Sequence, residues 1–168
     1  MPPSIWSPVS DDAVDLKYTF PNSKAVEVNL ALLLSKVINV AYFGAKGNGT
    51  TDDTTAIQNA INAATGSLTG YKIYFPPGIY KISQTISVGA KQNIYLVGDG
   101  PNVSVISPTS LVSKAISFGT SSGTAYQGIF NLHVNCSSAL ACVGIETQFC
   151  DSFWLDRVVT TGATMGIS

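Results

Sequence analysis

At 168 residues the chain is long enough to bury a substantial core as one domain. Only 11% of it is charged, the net charge is −1 and no Lys/Arg run interrupts it, which argues against nucleic acid as a partner. Three cysteines (Cys136, Cys142, Cys150) and one histidine (His133) make neither a disulfide framework nor a zinc site. The thiols read as small hydrophobes kept reduced in a cytosol, and no cofactor or metal is called for.

Residues 1–23 are punctuated by Pro2, Pro3, Pro8 and Pro21 and show little periodicity. They predict an extended arm that needs a partner to order it, with Ile5 and Trp6 as docking anchors. Asp11, Asp12 and Asp15 fall where a secretion signal would place basic and then apolar residues, so no such signal is expected. Val26, Leu30, Leu33 and Val37 are spaced four, three and four apart. That spacing predicts a short helix over about 24–38, whose seam joins identical chains or packs on its own domain. The apolar run Leu30 to Leu34 is far too short for a membrane span.

The stretch Val40 to Tyr80 carries the densest pattern. Gly44, Gly47 and Gly49 predict a tight backbone turn. Thr51, Asp52 and Asp53 then precede Ala56, Ile57, Ala60, Ile61 and Ala64, which recur at helical spacing. The expectation is a helix over 52–64, started by Asp52 and Asp53 as caps and stopped near Gly66, with Ile57 and Ile61 closing a core. Ile73 and Phe75 alternate with Lys72 and Tyr74 as a strand, which Pro76, Pro77 and Gly78 end.

Short β segments follow: Ile94 to Val97, Val103 to Ile106, Ala115 to Phe118, Ile129 to Val134, Val143 to Ile145 and Phe153 to Val159. Ala141-Cys-Val-Gly-Ile145 recurs as Ala163-Thr-Met-Gly-Ile167, an offset of 22 residues. Short strands repeated at such a period predict a solenoid, with the preceding helix as its lid. Its interior would be stacked Ile, Val, Leu and Phe.

Candidate chemistry is sparse. Asp99, Glu146, Asp151 and Asp156, with Arg157, are the acidic groups of the β region, and none is assigned a catalytic role. Asp99 lies between two glycines and reads as a turn former. GNGTTDD lacks the alternating ligands and distal Glu of a calcium loop. His133 alternates with Leu132 and Val134 and reads as a surface histidine. Phe153 and Trp154 are adjacent in a strand, so one points outward, and Trp154 is a candidate sugar-stacking or interface aromatic.

The segment VINVAYFGAKGNGTTDDTTAIQNAINAA, with IYFPPGIYKIS and IYLVGDGPNVSVI after it, resembles the start of the pectate-lyase-like right-handed parallel β-helix superfamily. It is most similar to bacteriophage tailspike proteins and capsule depolymerases. Phe43 to Gly47, Thr51 to Thr54 and Phe75 to Tyr80 carry the likeness; Asn48 stands where Asp is usual. The resemblance is strong over 37–107 and loose over 108–168.

It implies an all-β right-handed parallel β-helix with an N-terminal capping helix, preceded by the arm and short helix. Residues 1–38 would be the virion-attachment arm and neck, and 39–168 the cap and first coils, expected to continue past Ser168. It further implies a homotrimer held to phage tail, baseplate or adaptor proteins, located in the virion and made in the host cytoplasm. Distal coils would bind bacterial surface polysaccharide, and cleavage by hydrolysis or elimination would use residues outside this stretch. The alternative is a free secreted or cell-surface carbohydrate-active enzyme or adhesin.

Overall fold

The computed structural model describes residues 17–18, 28–29, 36–64, 70–124, 126–150 and 152–168. The chain divides into two units, residues 1–37 and 38–168. In the first, β1 (Lys17–Tyr18) pairs antiparallel with β2 (Val28–Asn29), Lys17 opposite Asn29 and Tyr18 opposite Val28.

This pairing corrects the helix expected over 24–38 at residues 28–29; residues 24–27 and 30–35 lie outside the described residues. Val28–Asn29 is a strand, and Val37 opens another, β3 (Val37–Asn39). β-Branched valines favour the extended backbone, and a two-heptad seam is too short to hold a helix by itself. Val37 is 43% exposed. Val26, Leu30 and Leu33, like Ile5 and Trp6, lie outside the described residues.

In the second unit a 3-10 turn at Val40–Phe43 leads to β4 (Asn48–Asp52) and helix α1 (Thr54–Ala63). Strands then come in threes. The first coil holds β5 (Tyr71–Phe75), β6 (Gly78–Ile82) and β7 (Ile86–Gly89). The second holds β8 (Ile94–Gly98), β9 (Ser104–Pro108) and β10 (Lys114–Thr124). The third holds β11 (Gln127–Phe130), β12 (His133–Asn135) and β13 (Val143–Cys150). The fourth holds β14 (Phe153–Asp156), β15 (Val159–Thr161) and β16 (Met165–Ile167). Every third strand joins the same sheet. One sheet runs β14-β11-β8-β5-β3, a second β15-β12-β9-β6-β4 and a third β16-β13-β10-β7. The pairings between coils are parallel, so the unit is a β-solenoid of the predicted class.

Register explains the core. Ile86, Ile116, Ile145 and Ile167 are aligned coil over coil in the third sheet. The first three are fully buried, while Ile167 in the fourth coil is 48% exposed. Identical branched side chains repeat one rotamer and stack without gaps, which is why strands of this kind tolerate a long isoleucine file. Phe75 and Phe118 are the largest of the fully buried side chains. The 22-residue echo is two stacked strands, Val143 on Met165 and Ile145 on Ile167.

Two expected strands are each split by a corner. Ile129 to Val134 breaks at Asn131 (φ 54°) and Phe153 to Val159 at Arg157 (φ 51°). Alternation of apolar residues cannot reveal a corner made by a non-glycine residue in the left-handed region. The Pro76-Pro77-Gly78 corner is where it was expected. A Cβ on Gly78 would lie 2.6 Å from the Gly47 carbonyl oxygen, so no larger residue fits there.

Candidate functional site

The start of the solenoid is a lid whose polar residues are spent on structure. Ile57 and Ile61 on α1 are fully buried and close the core. Asp52 caps the helix: its Oδ1 accepts from Thr54 N at 3.0 Å and from the Thr54 hydroxyl, and its Oδ2 from the Ser83 hydroxyl. The Ser83 bond first, and the Thr54 bond second, hold the Asp52 carboxyl below the usual carboxylate range. Asp53 occupies the N-cap position but makes no capping bond, which corrects the role expected of it. Its carboxylate turns back to the glycine loop and accepts from Lys46 N at 2.7 Å and Gly47 N at 3.0 Å. Asp53 is buried, and with it Tyr80, whose phenol is pushed up to about 12, by burial first and by the Asp53 charge second.

Gln58 was not anticipated. Its amide accepts from Ser87 N at 3.0 Å and donates to Ser87 O at 2.9 Å. It thus gives strand β7 the donor and acceptor that a neighbouring strand would supply. Lys91 donates to Ala64 O at 2.6 Å and covers the end of α1. The groove between α1 and β7, about 570 Å³ and lined by Gln58, Asn62, Ser87 and Lys91 among others, is therefore built of groups that tie the lid down.

The five carboxylates among the described residues, Asp52, Asp53, Asp99, Glu146 and Asp156, all have partners. Asp99 accepts from the Tyr74 hydroxyl at 2.8 Å. Glu146 pairs with Lys114 at 2.6 Å and accepts from Ser117 Oγ at 3.3 Å; the Lys114 bond is the main reason its carboxyl is held below the usual range. Asp156 pairs with its neighbour Arg157 at 3.3 Å, both well exposed. Asp151 lies outside the described residues. His133 shares a 2.8 Å hydrogen bond with Thr161 Oγ1 one coil on. Among the described residues no three His, Cys, Asp or Glu side chains converge as a metal site, and no helix is long and apolar enough to cross a membrane. The Cys136 thiol, buried, donates to Cys142 Sγ at 3.2 Å and is pushed up to about 12, by burial first.

One outer face has no such internal use. In the sheet β14-β11-β8-β5, alternate residues turn inward as Ile73, Leu96 and Ile129. The residues between them form two outward rows in register, Lys72-Tyr95-Gly128-Trp154 and Tyr74-Val97-Phe130-Asp156. Trp154 is 47% exposed and Tyr126 likewise. Their rings are near parallel, 5.9 Å between centroids at 16°. Tyr95 lies 6.5 Å from Trp154 and 6.0 Å from Phe130. Phe153 instead points inward, 4.8 Å from Phe118. Gly128 lets Tyr95 and Trp154, two coils apart, approach each other. A Cβ there would stand 2.7 Å from Trp154 O and 3.3 Å from Trp154 Cβ. Lys72, Tyr95, Val97 and Phe130 line an apolar groove of about 340 Å³ beside these rings.

Comparison with known proteins finds one family and several partial likenesses. The family model described as rhamnogalacturonase A/epimerase, pectate lyase-like, matches residues 37–161. Alginate lyase 7 of Azotobacter vinelandii is 49% identical over 73 residues, 40% of this chain and 8% of that enzyme. ORF18 of Geobacillus virus E2 superposes with a TM-score of 0.69 at 31% identity, covering 77% of this chain and 26% of the viral one. The A-module of the mannuronan C-5 epimerase AlgE6 from A. vinelandii gives 0.61 at 27% identity, covering 73% of this chain and 37% of that module. The chain thus spans well under half the length of each of these relatives.

Proposed function

The chain belongs to the rhamnogalacturonase A/epimerase, pectate-lyase-like family, and from that premise we propose that it is the start of a phage tailspike that recognises host surface polysaccharide. The likeness to ORF18 of Geobacillus virus E2, 31% identical across 77% of this chain, carries the viral half of the reading. The outward aromatic face supports the carbohydrate half. In this reading residues 1–38 hold a homotrimer to tail, baseplate or adaptor proteins in the virion. The solenoid then projects toward the host. Depolymerising chemistry belongs to coils outside this stretch, because glycoside cleavage needs a pair of carboxylates across a sugar, and the described carboxylates already have partners.

A second reading, a free carbohydrate-active enzyme, draws on the 49% identity to alginate lyase 7. That likeness spans only 8% of the enzyme. Immunogold electron microscopy of virions with antibody to residues 38–168 separates the two. Label at the tail, with a trimer mass by light scattering, supports the tailspike. Unlabelled virions and a monomer mass refute it.

A further inference from the structure

We propose that the outer face of the β14-β11-β8-β5 sheet is an acidic-polysaccharide site, with sugar rings stacked on Trp154, Tyr126 and Tyr95 and a sugar carboxylate directed to Lys72. The proposal rests on the polysaccharide half of the reading above and is independent of any virion role.

Four observations carry it. The rings are flat, half-open and clustered on one outer face. Trp154 and Tyr126 are near parallel, so together they offer a broad plane, and each ring carries a hydrogen-bond donor at its rim for sugar hydroxyls. Tyr126 holds a left-handed backbone (φ 62°), an unfavourable state for a bulky residue. Such strain collects at ligand clamps, and here it brings the Tyr126 ring beside Trp154. The third observation is spacing. Successive coils stand about 4.8 Å apart, close to the length of one sugar residue, so the Lys72-Tyr95-Gly128-Trp154 row presents contacts at the repeat of a glycan chain running along the solenoid. Gly128 leaves the row's middle position flat.

Charge selects the class of sugar. Lys72 is exposed, lines the apolar groove with Tyr95 and Phe130, and has no ion-pair partner among the described residues. Of the nearby acids, Asp156 is ion-paired with Arg157, and Asp99 is held by the Tyr74 hydroxyl. An ammonium beside a stacking surface favours an anionic ring, a uronate above all, over a neutral one.

Calorimetric titration of the purified chain with alginate oligosaccharides and with a neutral β-glucan oligomer tests this. The uronate oligomer is expected to bind more tightly, with an affinity that falls as salt rises. Trp154→Ala and Tyr126→Ala should each weaken it about tenfold, while Trp154→Phe retains most of the affinity. Lys72→Gln should weaken the uronate about threefold to tenfold, remove the salt dependence and leave any neutral-sugar binding unchanged. Circular dichroism confirms that each variant folds; Tyr126, on the surface, is the variant least coupled to folding. No heat with either oligomer on the wild-type chain overturns the proposal. So does Trp154→Ala binding like wild type, or Trp154→Ala lowering the oligomer mass by light scattering, which would mean that the face packs copies together. Tail labelling without sugar binding sinks this inference alone; sugar binding without tail labelling sinks the virion reading alone.

Discussion

Replacing Asp53 by Ala removes the acceptor for two backbone donors, Lys46 N and Gly47 N. Both lie in the tight turn that carries the chain from the 3-10 segment to β4, and Asp53 itself is only 1% exposed. An unsatisfied buried donor costs about 1–3 kcal/mol. Two of them give roughly 2–6 kcal/mol, and because water reaches these partly buried donors the lower half, about 2–4 kcal/mol, is expected. Against a total stability of about 5–15 kcal/mol this is a large loss. Asp53→Asn keeps one oxygen acceptor and should lose about half as much. Urea unfolding followed by circular dichroism, with the slope m shared between variants, measures both. An Asp53→Ala loss below about 0.5 kcal/mol would show that the carboxylate does not hold the turn. Loss of sugar processing in a full-length protein with stability unchanged would instead give Asp53 a chemical role.

Ile116→Ala opens a hole in the isoleucine file between Ile86 and Ile145 and should cost about 2–5 kcal/mol in the same unfolding experiment; Ile116→Val should cost about 0.5–1.5 kcal/mol. Acid should destabilise the fold through Asp52 and Glu146. Both carboxyls are held below their ordinary values in the folded chain. Their contribution is therefore complete above the ordinary carboxylate range and is lost as pH falls through the depressed folded values. Thermal unfolding between pH 7 and pH 2 should show Tm falling in that acid window. Glu146→Gln should shallow the fall, though only modestly, since the Lys114 side chain is 40% exposed and solvent screens the pair. An identical acid limb in the variant would remove Glu146 from the account.

What the sequence revealed followed from how local each determinant is. Helix α1, the Pro-Pro-Gly corner and the stacked echo at 141–145 and 163–167 are written in neighbouring residues or one fixed period. The Asp53 carboxylate was misread because an acid before a helix is ordinarily a cap, and nothing local says that a preceding turn competes for it. The amide of Gln58 is an ordinary exposed helix residue until Ser87 is placed beside it. The aromatic face was only partly legible. Trp154 was visible as an outward ring, but Tyr95 and Gly128 join it through register alone. Coil length varies here: the echo repeats after 22 residues, while Leu96 pairs with Ile129. No fixed period could have aligned them. The seam helix was misread for a different reason: where it is described, β-branched Val28 and Val37 lie in strands, whatever their heptad spacing.

The Gln58 amide also gives the molecule a direction. A strand edge ordinarily invites another strand, from the same chain or a stranger. At β7 the invitation has been answered by a side chain, and a helix stands in the vacated lane. Recruitment of further strands onto that sheet is thereby confined to its opposite edge. Lengthening of the solenoid by duplicated coils, in evolution or by design, can proceed on the far side of the lid without renegotiating how the stack begins.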